Sequence, residues 1–381
     1  MNLKPITSAF LINYIIFAVN APHEKNQALM LTVYSSTHHL RHATELVGGQ
    51  IVPSFERPER AEFILEQVKR VKLGSIIKPY KFDLKPILAV HDPAYINFLQ
   101  TCWDEWLAQG NKGDLFPFIW PSRTMPSKRI PKHLDGRIGY YCLSSDTSIN
   151  AGTWAAAKMS ADVALTATQQ LTTGNNSAFA LCRPPGHHAT CDAYGGYCFI
   201  NNIAVSAQWL LDNGASRVSI LDVDFHHGNG TQSIFYDRDD VQFLSIHGQP
   251  EQCFPHFSGY ADERGQGAGQ GYNFNYPLAP STDYKKWQYA LDQALEEIVK
   301  YSPDVLLISL GVDTYENDPI SSFKLQSDDF KLYGSQISSL SLPTAFILEG
   351  GYAVEEIGLN TVNVLSSFEK LHSCRGFKSV K

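Results

Sequence analysis

Two aspartates and two histidines lie close together in the run DVDFHH at positions 222–227. Asp224 and His226 are separated by one residue, and alternate residues of an extended chain point to the same side. These two side chains can therefore share one metal ion, with Asp313 as a third ligand. Three protein ligands with an open position are typical of a catalytic site, where the ion polarises a carbonyl group and acidifies water. The sequence predicts such a metal centre.

Two further groups suit hydrolytic chemistry. His187 and His188 follow Pro-Pro-Gly, a rigid turn, and an imidazole there can take a proton from water and return one to a leaving amine. Tyr352 follows two glycines, which permit close approach, and its phenol can donate a hydrogen bond to an oxyanion. Either group, taken alone, is also compatible with a purely structural role.

The elements that must position these residues are short apolar runs that alternate with helical patterns. Continuous apolar runs are typical of parallel strands covered by helices on both faces, and ligands of such sheets bind at the carboxyl ends of the strands. The predicted strands are 178–182, 217–222, 241–246, 304–310 and 343–348. Helical patterns cover 59–72, 202–213 and 287–298. We therefore predict an α/β fold, a single domain with a mostly parallel central sheet flanked by helices.

The composition excludes several classes of protein. Of the 381 residues, 44% are apolar and 18% are charged, which is typical of a globular chain and not of a disordered one. The formal net charge of −7 lacks the basic excess expected of a nucleic-acid-binding protein. Seven cysteines without a CxxC pair argue against a disulfide scaffold and against a thiolate zinc cage.

Two segments stand apart from this pattern. Residues 1–29 are interpreted either as an extension or misassigned start that precedes a catalytic domain at 30–381, or as a signal-like segment over 4–21. A cytoplasmic protein is expected in the first case, and a periplasmic or secreted one in the second. The apolar run at 9–19 is too short to span a membrane. The region at about 103–148 is rich in Pro and Gly and is predicted to be a long loop insertion, either a lid or an interface.

Five motifs in order along the chain resemble the histone deacetylase superfamily, whose fold is shared with arginases. They are RPPGHH (183–188), GGYCFINN (195–202), DVDFHHGNGTQ (222–232), LGVDTYENDP (310–319) and EGGY (349–352). The resemblance extends from Met30 to about Leu365. Within the superfamily, three segments are similar to the acetylpolyamine amidohydrolase branch: IPKHLDGRIGYYC (130–142), FPHFSGYADE (254–263) and DPISSFKL (318–325).

The resemblance implies a role for each site residue. Zinc, or alternatively Fe²⁺ or Co²⁺, would bind Asp224, His226 and Asp313; His187 and His188 would be the catalytic histidines and Tyr352 the oxyanion donor. Asp222 would face His187 and would hold a structural potassium ion with Ser245 and the carbonyls of Asp224, His226 and Ile246. A second monovalent site would lie near Phe235, Arg238 and Val241. Tyr197 and Phe254 would form the walls of a substrate tunnel.

Asn229 occupies a position where protein deacetylases commonly carry an aspartate that faces the second histidine. A neutral amide stabilises an imidazolium less than a carboxylate does, so we expect His188 to be the less basic histidine and the resting base.

The resemblance also implies a substrate class, namely acetylated polyamines such as acetylputrescine, acetylcadaverine and acetylspermidine, which are cleaved to amine and acetate. Asp135 and Asp146 match acidic residues that meet the cationic amines beside a loop narrowing the active-site mouth across a homodimer. If the branch carries a glutamate at these positions, the aspartates of this chain have side chains that are one methylene shorter. The alternatives are a lysine deacetylase acting on peptides, a ureohydrolase on the same fold, and a non-catalytic polyamine sensor. No nucleic-acid or membrane partner is expected.

Overall fold

The structure is a computed structural model that describes residues 30–125 and 128–372. The signal-like segment 4–21 and Cys374 lie outside the described residues. The six cysteines within them are all free. None of the helices in the described ranges combines the length and hydropathy needed to cross a membrane.

In the described part of the chain, eight parallel strands form the central sheet, and two more form an antiparallel hairpin. In chain order the strands are β1 Leu31–Val33, β2 Thr44–Val47, β3 Gln50–Pro53, β4 Ile76–Ile77, β5 Ser177–Ala180, β6 Val218–Asp222, β7 Val241–Gly248, β8 Asn273–Leu278, β9 Val305–Leu310 and β10 Thr344–Leu348. The order in the sheet is β4-β1-β5-β10-β9-β6-β7-β8, with every neighbouring pair parallel. β2 and β3 form the hairpin. The predicted fold class is confirmed.

Helices cover the sheet. They are α1 Glu59–Val71, α2 Lys85–Leu88, α3 Pro93–Ala108, α4 Leu134–Tyr140, α5 Thr153–Thr172, α6 Asn202–Asp212, α7 Asn229–Phe235, α8 Tyr284–Tyr301, α9 Asp329–Ser338 and α10 Val354–His372. Residues 36–40 and 267–269 form 3₁₀ turns. Every residue of β5, β6, β7, β9 and β10 is buried, which explains why their sequences are almost continuously apolar.

The region at about 103–148 differs from the prediction of one long loop. Its first residues, 103–108, complete α3, and α4 lies inside it. Asp92 caps α3 by accepting hydrogen bonds from the backbone N–H groups of Ala94 and Tyr95, and Pro93 occupies the first turn. Both helices pack on a second apolar cluster that includes Phe98 and Ile138. The many prolines and glycines between the helices concealed these short periodic stretches.

Candidate active site

The predicted catalytic and metal-binding residues lie in the segments that follow four neighbouring strands. β5, β10, β9 and β6 are adjacent in the sheet, and the segments that follow them carry the histidine pair, Tyr352, Asp313 and the Asp224/His226 pair. Because the strands are parallel, their carboxyl ends lie at one edge. The structure thus brings together all the residues of the predicted metal and catalytic sets.

The three predicted metal ligands lie within reach of a single ion. One ligand atom from each of Asp224, His226 and Asp313 lies within 4.8 Å of the other two. The Nδ1 atom of His226 is 3.0 Å from Asp313 Oδ2 and 3.4 Å from Asp224 Oδ1. Backbone N–H groups fix the carboxylates: Phe225 donates to Asp313 Oδ1 (2.8 Å) and Gly350 donates to Asp224 Oδ2 (2.7 Å).

The donor set fits a divalent cation. Asp224 and Asp313 are completely buried. Burial and the neighbouring Asp224 carboxylate raise the pKa of Asp313 to about 8, which shows how strongly this pair disfavours two negative charges unless a cation lies between them. Glycines leave the space open, because a Cβ at Gly350 would lie 2.5 Å from an oxygen of each aspartate.

The two histidines of the pair have different partners. His187 Nδ1 lies 2.9 Å from Asp222 Oδ2, whereas His188 Nδ1 lies 2.7 Å from Asn229 Oδ1, and the ring centroids are 4.0 Å apart. Burial lowers the pKa of His187, but the carboxylates of Asp222 and Asp224 outweigh it and raise that pKa to about 10. Burial and the neighbouring His187 and His226 hold the pKa of His188 well below its usual value.

Tyr352 is held from two sides. Its backbone N–H donates to Asp318 Oδ2 (2.7 Å), and the Arg60 guanidinium lies 4.7 Å from the centre of its ring. Arg60 also donates to the carbonyl oxygens of Glu349 and Gly351, each at 2.5 Å, on either side of Gly350. Burial raises the pKa of the Tyr352 phenol well above 10, so the hydroxyl keeps its proton and can donate a hydrogen bond at neutral pH.

A cavity of about 460 Å³ leads to these groups. Its lining residues are Asp146, His188, Gly196, Tyr197, Phe225, His226, Gln252, Cys253, Phe254, Pro280, Ile320, Ser321, Ser322 and Tyr352. The ring of Phe254 stands edge-on to His188, with centroids 4.9 Å apart, and the ring of Tyr197 lies 5.6 Å from that of Tyr352. Both residues predicted as tunnel walls therefore border the cavity.

The two predicted acidic residues have different positions. Asp146 lines the cavity, where its Oδ1 accepts hydrogen bonds from the Ser144 and Thr147 hydroxyls (2.6 Å each). Asp135 is in the first turn of α4, with its side chain 38% exposed and 3.4 Å from His133 Nδ1. It does not border the cavity of its own chain.

The residues predicted around a potassium ion are also neighbours. Asp222 and Ser245 are paired across β6 and β7, and both are fully buried. Asp222 Oδ1 accepts the N–H of Asp224 (3.1 Å), and the Ser245 hydroxyl lies 2.8 Å from His247 Nδ1.

Sequence reasoning missed several buried charges that support the site. The carboxylate of Glu56 is surrounded by Arg41 Nη1 (2.8 Å), Arg60 Nη1 (3.2 Å) and Arg183 Nε (2.8 Å), and all four side chains are buried. Asp318 is another such group. Glu56 lies in the segment FERPER and Asp318 in the segment ENDP. The sequence of these segments does not show which distant groups the two carboxylates contact.

Comparison with known proteins agrees with this architecture. Residues 54–368 match the family model described as histone deacetylase domain. The chain is 54% identical to acetylpolyamine amidohydrolase 2 of Pseudomonas aeruginosa over 90% of its own length and 100% of the relative. It is 51% identical to the acetylpolyamine amidohydrolase of Mycoplana ramosa over 88% of its length and 98% of the relative.

A solved structure extends this likeness to the fold. The crystal structure of an acetylpolyamine aminohydrolase from Burkholderia pseudomallei superposes with a TM-score of 0.85 at 37% identity, covering 90% of this chain and 99% of the other. The family match spans the four strand ends that carry the site. The chain therefore belongs to the histone deacetylase family, whose members are amide hydrolases.

Proposed function

We propose that the protein hydrolyses acetylated polyamines and similar small acetylated amines, such as acetylputrescine, acetylcadaverine and acetylspermidine, to the free amine and acetate. The observation that carries the proposal is the cavity, which reaches the Asp224/His226/Asp313 cluster at His226, is bordered there by Tyr352, and has a carboxylate, Asp146, in its wall. The near full-length relatives named acetylpolyamine amidohydrolase support the same substrate class.

The family is generally metal-dependent, and zinc is the ion we propose for Asp224, His226 and Asp313. Bound there, zinc would supply a Lewis acid that polarises the acetamide carbonyl and acidifies water. Fe²⁺ and Co²⁺ are alternatives, because carboxylate and imidazole ligands accept several divalent ions.

His188 is the proposed proton carrier because it lines the cavity, whereas His187 does not. Its Nδ1–H donates to the Asn229 side-chain oxygen (2.7 Å), which leaves Nε2 with a free lone pair for the proton of the attacking water. Burial, together with His187, which Asp222 holds positive, lowers the pKa of His188 and keeps it neutral in the resting enzyme. Once protonated, His188 can deliver that proton to the nitrogen of the leaving amine.

Tyr352 is the proposed donor to the oxyanion of the tetrahedral intermediate. Its hydroxyl keeps its proton because burial raises its pKa, and its backbone is fixed by Asp318. A preorganised donor of this kind stabilises charge that develops only as the water attacks, which is where it accelerates the reaction.

Asp146 is proposed to attract the cationic end of the substrate. Asp135 would do so only across a homodimer, in the cavity of a second copy, since it does not border its own. The proposal also includes a structural potassium ion at Asp222 and Ser245, where two buried polar side chains lie on adjacent strands.

The test is a substrate series with purified protein loaded with one equivalent of Zn²⁺. Acetate release is measured for N-acetylputrescine, N-acetylcadaverine, an acetyl-lysine peptide and N-pentylacetamide, in which a methyl group replaces the distal ammonium of acetylputrescine. We expect the acetylated diamines to have the highest kcat/KM. Faster cleavage of the peptide would identify a lysine deacetylase instead. If the metal-loaded protein releases no acetate from any of them, a binding protein is the better description.

A further inference from the structure

Three side chains outside the active site converge on one oxygen of Glu62. The Nε2 atoms of His38 and His39 lie 3.0 Å and 2.9 Å from Glu62 Oε1, and the hydroxyl of Tyr34 lies 2.7 Å from the same atom. The two imidazole rings are 4.2 Å apart. The histidines belong to the 3₁₀ turn at 36–40, and Glu62 is in the first turn of α1.

Hydrogen bonding alone accounts poorly for this crowding. The Tyr34 hydroxyl also lies 3.2 Å from His38 Nε2, so these groups contact one another as well as Glu62. Three polar groups nevertheless share Oε1, a carboxylate oxygen with only two lone-pair directions. His38 is almost completely buried, and its Nδ1 has no hydrogen-bond partner among the described residues. The side chains of His39 and Glu62 are 46% and 42% exposed, so neither needs its partner in order to avoid desolvation.

We propose that His38, His39 and Glu62 form a second metal site, separate from the catalytic cluster, for a divalent transition-metal ion such as Zn²⁺. The three ligand atoms lie within 4.8 Å of one another. Metal–ligand bonds of about 2.0–2.2 Å would place tetrahedral ligand atoms about 3.4 Å apart, slightly wider than the distances to Oε1 found here. Two imidazoles and one carboxylate are a common zinc donor set, and the open side of the cluster leaves water to complete the coordination.

The position of the cluster suggests a structural role. An ion bound there would join the 3₁₀ turn to α1 at a half-exposed point. The backbone carbonyl of His38 accepts a hydrogen bond from Arg183 Nη1 (2.5 Å), and Arg183 is the first residue of the segment that carries the catalytic histidines. The ion would therefore stabilise the turn that anchors Arg183, without contacting the substrate cavity.

Metal stoichiometry tests the proposal directly. Chelator-treated protein is dialysed against increasing Zn²⁺, and bound zinc per chain is measured by mass spectrometry of the metal. We expect the wild type to bind two ions, and His39→Ala and Glu62→Gln to bind one. His42→Ala removes a nearby exposed histidine outside the cluster and should still bind two. Asp313→Ala, which removes a catalytic ligand, should bind one, and combining it with His39→Ala should leave none.

Thermal unfolding gives a second readout that does not depend on activity. The second equivalent of Zn²⁺ should raise the Tm of the wild type and of His42→Ala but not that of His39→Ala. The proposal is overturned if the wild type saturates at one ion, or if His39→Ala and Glu62→Gln bind as many ions as the wild type does. Failure of Asp313→Ala to lose an ion would instead contradict the catalytic metal site.

Discussion

The Nδ1 atom of His188 lies 2.7 Å from the side-chain oxygen of Asn229, a neutral amide. The corresponding atom of His187 lies 2.9 Å from a carboxylate, that of Asp222. The two adjacent imidazoles have opposite pKa shifts: Asp222 and Asp224 outweigh burial and raise the pKa of His187 to about 10, whereas burial and the neighbouring His187 and His226 hold the pKa of His188 well below its usual value. A charged histidine beside a neutral one gives the site a fixed positive charge and a base that is ready at neutral pH.

Asn229→Asp should raise the pKa of His188 by about one unit or more, because it places a negative charge next to Nδ1. A base must be deprotonated to act, so the acidic limb of the kcat/KM profile should move to higher pH. The profile is measured from pH 5 to 9 at constant ionic strength. An unshifted acidic limb would contradict the assignment of His188 as the base.

Tyr352→Phe should retain the metal proposed at Asp224, His226 and Asp313 but lower kcat by about 10²- to 10³-fold, since it removes the proposed preorganised donor to the oxyanion. Metal content and kcat are measured on the same preparation. Tyr289→Phe, at a side chain that is 70% exposed, serves as the control and should be neutral. Near-normal turnover of Tyr352→Phe would exclude the proposed role.

Asp318→Asn tests whether this carboxylate positions Tyr352, the proposed oxyanion donor. Asp318 Oδ2 accepts the N–H groups of Tyr352 (2.7 Å) and Ala353 (3.2 Å), while its Oδ1 accepts that of Ile320 in the cavity wall (3.1 Å). An amide can satisfy these three donors only in part, so kcat should fall about tenfold with zinc still bound. Asp328→Asn, whose side chain is 85% exposed, is the matched control. Equal kcat values for the two variants would argue against positioning.

Glu56→Gln should destabilise the protein by about 3–5 kcal/mol, because it leaves the buried guanidinium groups of Arg41, Arg60 and Arg183 without their counter-charge. The free energy of unfolding is measured in urea. Glu297→Gln breaks a surface ion pair with Lys300 and should change the free energy of unfolding far less. Similar losses of unfolding free energy in the two variants would mean that the buried Glu56 cluster contributes no more to stability than a surface ion pair does.

The fold and the centre of the site could be predicted from sequence because both depend on local patterns. Continuous apolar runs mark the buried strands β5, β6, β9 and β10, and each run ends directly in a chemical motif. Parallel strands must then bring those motifs to one edge. The polar alternation of NFNYPL, by contrast, concealed the edge strand β8, which is only partly buried.

Supporting groups could not be predicted because their partners are distant in the chain. Asp318 accepts a hydrogen bond from Tyr352, which is 34 residues away in the sequence, and Arg60 donates to the carbonyl of Gly351, which is 291 residues away. Nothing in the local composition around Glu56 shows that three arginines will surround it. Such contacts follow from packing between elements and not from periodicity within one element, so they become visible only in the folded chain.

Asp146→Asn should separate charge recognition from catalysis. The amide keeps an oxygen that can accept from Ser144 and Thr147, so the local structure should survive while the negative charge in the cavity wall is lost. We expect kcat/KM for N-acetylputrescine to fall about tenfold and that for the uncharged N-pentylacetamide to stay constant, because only the ammonium end loses its partner. The loss should shrink at high salt. Asp135→Asn is the matched control: it should be silent in a monomer, whereas an equal loss would indicate that a second copy brings Asp135 to the cavity. If Asp146→Asn lowers kcat/KM equally for both substrates, Asp146 stabilises the structure of the cavity wall and does not recognise the substrate's positive charge.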